Sequence, residues 1–428
     1  MLAFCLAVLG AGSMVGYHLG FFIPRVLEIR AAQGLDGGYS FGDDFYPVWL
    51  TARLWRTEHL NPYSAPMTRQ IQAGLFGRAL DPGRPHDPPV DYREFTYPAY
   101  TELLLWPASL VEFRELRPPL AALLTIITIA SVWLWMKSLG WRVESVCIVI
   151  AGLLAIFNYP VLEALFALQP GLLAGFALAA SAFAVSRGRL LLAGMLLGLT
   201  LIKPQMTLLL AAYWLLWAIS HRSRFRLLGG FFGTAALLIV GSLVIWPHWI
   251  GQWLHILLGY HRYSTPALVI LLPGSTLGSY LGPAAIVILF ALGAALAWTK
   301  RLATSDSLDF WLASSLLLAI TSVTLLPGQA IYDHVILLPG IFLLMLHRRQ
   351  LWDTSALNRT LLVCGGVVLF WPWVAAFLLM AVRPLLTLPQ FDAIFSLPIR
   401  TAASLPFAVL ALLECARRAN LSGNQAAV

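Results

Sequence analysis

Apolar positions along this chain do not alternate; they run on. Stretches long enough to cross about 30 Å of hydrocarbon need roughly 20 residues. Twelve read that way: 2–24, 117–137, 143–159, 168–186, 190–203, 205–220, 227–246, 281–299, 308–326, 331–346, 359–381 and 399–416. Runs of this length without strand-like alternation predict an all-α polytopic membrane protein of about twelve transmembrane helices. The segments at 143–159 and 190–203 are the shortest of them. The chain then divides into a first outer loop at 25–116, a core module at 117–246, a second outer loop at 247–280 that would close over a cavity, and C-terminal helices at 281–428.

The first outer loop has its own pattern. In "DDFYPVWLTARLWR", Phe45, Val48, Trp49, Ala52, Leu54 and Trp55 fall at helical spacing, with Arg53 and Arg56 at the rim. This suits an amphipathic helix at the membrane interface. Asn61-Pro62-Tyr63 is a turn, and a second helical stretch ends near Gly77. The segment 97–112, "YPAYTELLLWPASLVE", is expected to lie in the interface, with Tyr97, Tyr100 and Trp106 at headgroup depth.

Composition agrees with the membrane reading. Hydrophobic residues make up 59% and charged residues 11%, with a mean hydropathy of +0.78. The net charge of +8 does not suggest nucleic acid, because the basic residues form short clusters between apolar runs. Those clusters are Lys137/Arg142, Arg187/Arg189, Arg222/Arg224/Arg226, Lys300/Arg301, Arg348/Arg349 and Arg417/Arg418. With the spans above all fall on one side, which makes that side and both termini cytoplasmic. Cys5, Cys147, Cys364 and Cys415 lie singly in apolar runs and read as small buried hydrophobes, with no disulfide and no metal site.

Acid is unevenly spread. Twelve of the twenty acidic residues fall in 25–116. Most belong to a solvated loop, but Asp43 and Asp44 open the aromatic helix. They are either its N-cap or a general base at the lipid boundary. Three further polar places sit at outer helix ends. Lys203, with Pro204 and Gln205, is either a snorkelling lysine or a cation aimed at a phosphate. Gln169, before Pro170-Gly171 and near Glu163, is either a polar turn or a cavity residue. In "GQAIYDHVILLPG", Gln329, Tyr332, Asp333 and His334 head a span, with Asp333 either a cap or a site carboxylate. All share one side with Asp43 and Asp44, which points to a cavity opening outward. No nucleotide-binding motif, HExxH or Cys/His ligand pair is present.

These stations in order resemble glycosyltransferase family 87. "DDFYPVWLTARLWRTEHLNPYS" is similar to its first-loop pattern, and "FTYPAYTELLLWPASL" to its Tyr-Pro helix, with Ala99 where a second proline is common. The run from Gln169 through "AGMLLGLTLIKPQM" and the late "YDHVILLPG" also resemble the family, most of the match lying before Ser220. The resemblance implies a GT-C fold in a bacterial-type plasma membrane and an outer-face site. Its partners would be a polyprenyl-phosphate sugar donor, with mannose as the sugar, and a lipid or glycan acceptor. It implies no cofactor and no metal. Asp44 takes the role of base, with Asp43 as runner-up, and Lys203 faces the donor phosphate. Tyr46, Tyr63, Tyr97, Gln169, Gln205, Tyr332, Asp333 and His334 line the cavity. One base and direct displacement imply inversion at the anomeric carbon. Partial desolvation would raise the carboxylate's pKa toward neutrality.

A different class, a lipid or solute carrier, would use the same outward cavity. A lipid-linked oligosaccharide ligase would share the topology and carry an outer arginine and histidine, for which His261 and Arg262 are the candidates.

Overall fold

The computed structural model describes the 428-residue chain except residues 36, 39, 85–86, 91, 142–144, 261–263, 271–275, 329 and 420–428. Asp36, Gln329 and the His261-Arg262 pair therefore lie outside the described residues. Among the described residues the regular secondary structure is helical, apart from an isolated bridge between Pro266 and Pro327.

All twelve apolar stretches reappear as helices. Six are long enough to span: Leu2–Ala32 (α1), Phe113–Ser138 (α5), Arg222–Ile245 (α11), Tyr280–Lys300 (α13), Ala356–Leu385 (α17) and Leu388–Arg418 (α18). Two more are pairs bent by 58° and 62°: Ser145–Ile156 (α6) with Tyr159–Phe166 (α7), and Ile331–Leu346 (α15) with Arg348–Thr354 (α16). The remaining four are short apolar helices: Gly171–Ser186 (α8), Leu190–Ile202 (α9), Leu208–Ile219 (α10) and Leu308–Thr324 (α14). Between α1 and α5 lie Tyr46–Glu58 (α2), Ala65–Phe76 (α3) and the short Tyr100–Leu105 (α4). The loop at 247–280 contains its own helix, Trp249–Tyr260 (α12).

The breaks have local causes. Asn158 caps α7 by accepting from the Val161 amide, and Pro160 sits in its first turn, so the chain restarts there at a new angle. Lys203 ends α9 at φ −137°, because Pro204 next to it disfavours a helical residue before it. Gly77 closes α3 at φ 75°, a left-handed conformation open to glycine at no steric cost.

Helices α9 and α11 cross in close contact. A Cβ on Gly194 would stand 2.0 Å from the Leu227 carbonyl oxygen, and one on Gly230 would stand 2.2 Å from that of Leu191. Gly198, one turn on, faces Thr234. The Gly-x-x-x-Gly spacing of "AGMLLGL" is thus a backbone-to-backbone contact of the kind that holds helices together in lipid. The centre of the fold is α14, whose residues from Phe310 to Thr324 are all buried. It packs against α10, α13, α15 and α18.

Two expectations are revised. The helix α2 is not laid on the interface with one face free: Tyr46 to Ala52 are all buried, because α3, α4 and α5 cover them. Nor are the cysteines buried. Cys5, Cys147 and Cys364 are exposed on outward helix faces, and none of the four is bridged. Apolar residues in a membrane protein have no need to face inward, since lipid is as apolar as the core.

Candidate active site

The first cluster is built on the loop before α2. Gly42 adopts φ 87° there, and its amide donates to Phe166 O at 2.9 Å while the Asp44 amide donates to Ala167 O at 3.3 Å. A Cβ at Gly42 would meet Leu168 at 2.8 Å. The loop is thereby pinned to the end of α7, and Asp43 and Asp44 are held against the chain reversal at Leu168 and Gln169. Leu168 is itself left-handed, at φ 51°, a conformation that costs a non-glycine residue free energy and persists where surroundings over-determine it.

Neither aspartate caps α2; the N-cap is Phe45, with no side-chain bond. Instead Arg93 bridges both. Its Nη1 donates to Asp44 Oδ1 at 2.5 Å and its Nη2 to Asp43 Oδ2 at 3.0 Å. Arg30 lies 3.9 Å from Asp43 on the far side. The other oxygen of Asp44 accepts from Gln169 Nε2 at 2.6 Å. Gln169 is oriented in turn by Tyr97, whose hydroxyl donates to Gln169 Oε1 at 2.9 Å. Tyr63 donates to the Tyr97 carbonyl at 2.9 Å and its ring lies tilted against Phe95, so it supports the cluster from behind. Burial, with the Asp44 carboxylate close by, pushes the Tyr97 phenol well above its usual range. Burial also pushes the Asp43 carboxyl up to about 6, Arg93 opposing the rise and Asp44 adding to it.

The second cluster lies beside the first. Lys203 Nζ donates to Asp333 Oδ1 at 2.6 Å and sits 4.9 Å from the centre of the Tyr332 ring. Both charges are buried, with 8% and 2% of their side chains exposed. Gly171 joins the two clusters: its amide faces Gln169 Oε1 at 3.4 Å, and a Cβ there would meet Asp333 Oδ1 at 2.9 Å. Asp333 is thus a partner for lysine; the N-cap of its 3-10 turn is Ala330.

Of the residues expected at the cavity, Asp43, Asp44, Tyr97, Gln169, Lys203, Tyr332 and Asp333 come together, with Tyr63 bonded to the Tyr97 carbonyl behind them. Three do not. Gln205 is exposed beyond the break. The Tyr46 hydroxyl is aimed at Gly74, where a Cβ would stand 2.0 Å from it, so this ring locks α2 to α3. His334 is buried with both ring nitrogens unpartnered among the described residues, and lines a small cavity with Asn158 and Tyr159.

Sequence reasoning missed two groups. Arg93 is the organising cation, and its only signal was a loop arginine two residues before the "FTYPAY" station. Glu163 was noted as a neighbour of Gln169 but given no partner. It accepts from the Tyr159 hydroxyl at 3.2 Å and lies 3.5 Å from His18 Nε2, where α1 carries a one-turn π-helical bulge. Bulges of this kind frequently mark functional sites.

A multi-pass helical protein with paired carboxylates, a bridging arginine and a buried lysine–aspartate pair suits group transfer at a membrane surface. The chain belongs to glycosyltransferase family 87, which it matches over residues 95–327, more than half its length. The protein is accordingly a membrane glycosyltransferase. The match takes in Tyr97, Gln169 and Lys203 and runs well beyond Ser220, farther into the C-terminal half than the motifs suggested; it begins after Asp43 and Asp44 and ends before Tyr332. Comparison with curated proteins and with solved structures finds no match.

Proposed function

We propose that the protein moves a sugar, mannose by the family's habit, from a polyprenyl-phosphate donor to a lipid or glycan acceptor, on the outer side of a bacterial-type plasma membrane. The fold is then of the GT-C kind, both termini are cytoplasmic, and Asp44 is the general base. The observation that carries this reading is Asp44's setting. Two groups drawn from distant segments, Arg93 and Gln169, each hold one of its oxygens. A base so fixed keeps one orientation.

The chemistry follows from the atoms. Asp44 takes the proton of an acceptor hydroxyl through a remaining lone pair as that oxygen bonds to the anomeric carbon. The bond from that carbon to the phosphate oxygen breaks, and the polyprenyl phosphate leaves with the electron pair. One displacement inverts the centre. Lys203 has three donors, one of them given to Asp333. Its remaining protons face the leaving phosphate and offset its growing charge. Asp333 holds the ammonium in place, and Tyr97 with Gln169 holds the base.

The test is transfer from radiolabelled polyprenyl-phosphate mannose to a total lipid extract by the purified protein. Asp44→Asn should lower turnover by about 10²–10⁴, the usual worth of a positioned base. Asp43→Asn should stay within about tenfold of wild type. The reverse ranking would move the base to Asp43. No transfer by wild type from this donor, with transfer from another, would sink the donor assignment.

A further inference from the structure

Away from the candidate site, a cavity of about 600 Å³ opens between α15, α16, α17 and α18. Its walls are aliphatic and aromatic, including Leu344, Leu362, Val363, Phe370, Leu405 and Leu412. Val363 and Phe370 are also exposed on the outward face of α17, so the cavity opens sideways toward the bilayer. Its mouth is polar. Arg348, Arg349 and Asp353 stand there, carried by the short helix α16 that bends away from α15. Arg348 is held at the mouth by donating to the Met345 carbonyl at 2.7 Å. Neither arginine has an ion-pair partner among the described residues.

An apolar slot of this size beneath two unpaired guanidinium groups has the shape and charge of an amphiphile with an anionic head. We propose that this cavity binds an anionic glycerophospholipid, one acyl chain in the slot and its phosphate on Arg348 and Arg349. The volume lies in the range of single-ligand pockets. Guanidinium groups match phosphate oxygens in bidentate geometry, and a zwitterionic lipid would bring an ammonium to the same mouth. A free phosphate would have no use for the slot. Asp353 works against the headgroup, leaving a net positive mouth. The site is separate from the Asp44 and Lys203 clusters, so the proposal stands or falls independently of the transfer reaction.

The test uses the full chain in neutral detergent, titrated with phosphatidylglycerol, phosphatidylcholine or inorganic phosphate and read by native mass spectrometry and thermal shift. Wild type should retain one phosphatidylglycerol in preference to phosphatidylcholine. Replacing each arginine by alanine should weaken retention about fivefold, the worth of one basic residue at an anionic headgroup. Asp353→Asn should tighten it. Gly366→Leu should abolish it: Gly366 lines the slot, and a Cβ there meets nothing within 4 Å, so the larger side chain starts from open space and occupies the slot. Equal retention of both lipids, retention undiminished in Gly366→Leu, or an equal shift with inorganic phosphate would each overturn the proposal and leave ordinary annular lipid or free-anion binding.

Discussion

Lys203 and Asp333 are 130 residues apart in sequence and 2.6 Å apart in space, in a setting that excludes almost all solvent. Removing one partner of a buried pair leaves an uncompensated charge. Lys203→Met or Asp333→Leu alone should destabilise the protein by about 3–5 kcal/mol. The double variant should recover most of that loss, because it leaves no buried charge behind. Thermal unfolding of the four proteins in one detergent measures the cycle. Transfer activity should stay low in the double variant, since stability returns without the cation. Recovery of both together would make Lys203 purely structural.

Asp43 makes stability depend on pH. Its carboxyl is raised by burial from 3.8 to about 6, so the folded state holds the proton more tightly than the unfolded state. The contribution is fully present below pH 3.8 and is lost as pH rises through about 6. Between those values wild type should lose stability relative to Asp43→Asn, which has no proton to release there. Parallel melting curves from pH 4 to 7 in steps of about half a unit check the sign. Wild type gaining stability relative to Asp43→Asn as pH rises would contradict it.

Arg93 opposes the burial that raises the Asp43 carboxyl. Arg93→Gln should therefore lower the transfer rate by freeing one oxygen of Asp44, and should let the Asp43 carboxyl rise further, moving the pH-dependent loss of stability to higher pH. Guanidinium geometry matters at this bridge, so Arg93→Lys should restore only part of the activity. Melting curves against pH separate this role from a purely structural one, which would lower stability evenly at every pH.

Glycine contacts hold α9 to α11. Gly194→Leu and Gly230→Leu would each drive a side chain into a backbone carbonyl, and each should cost about 1–3 kcal/mol or more. Gly233→Ala, on the same helix as Gly230, meets nothing within 4 Å and should be close to neutral. Thermal shifts of the three variants should rank in that way.

The sequence alone determined the helical membrane class and the place of every apolar segment. It also marked most of the candidate site: Asp43 and Asp44, the glutamine and lysine beside their prolines, and the late Tyr-Asp. Span length in a bilayer is a one-dimensional property, since each segment must satisfy its own backbone in hydrocarbon. Prolines and loop carboxylates beside such spans can be read without knowing what they touch. Only the tertiary structure decided the partners. Arg93 reaches Asp44 across 49 residues because the outer loop folds back over α2. Lys203 meets Asp333 because the break before α10 and the first turns of α15 both pack against α8 and α14. Tyr46 turns its hydroxyl to Gly74. Outer-loop contacts of this kind depend on where the chain returns in three dimensions, and no periodicity records that.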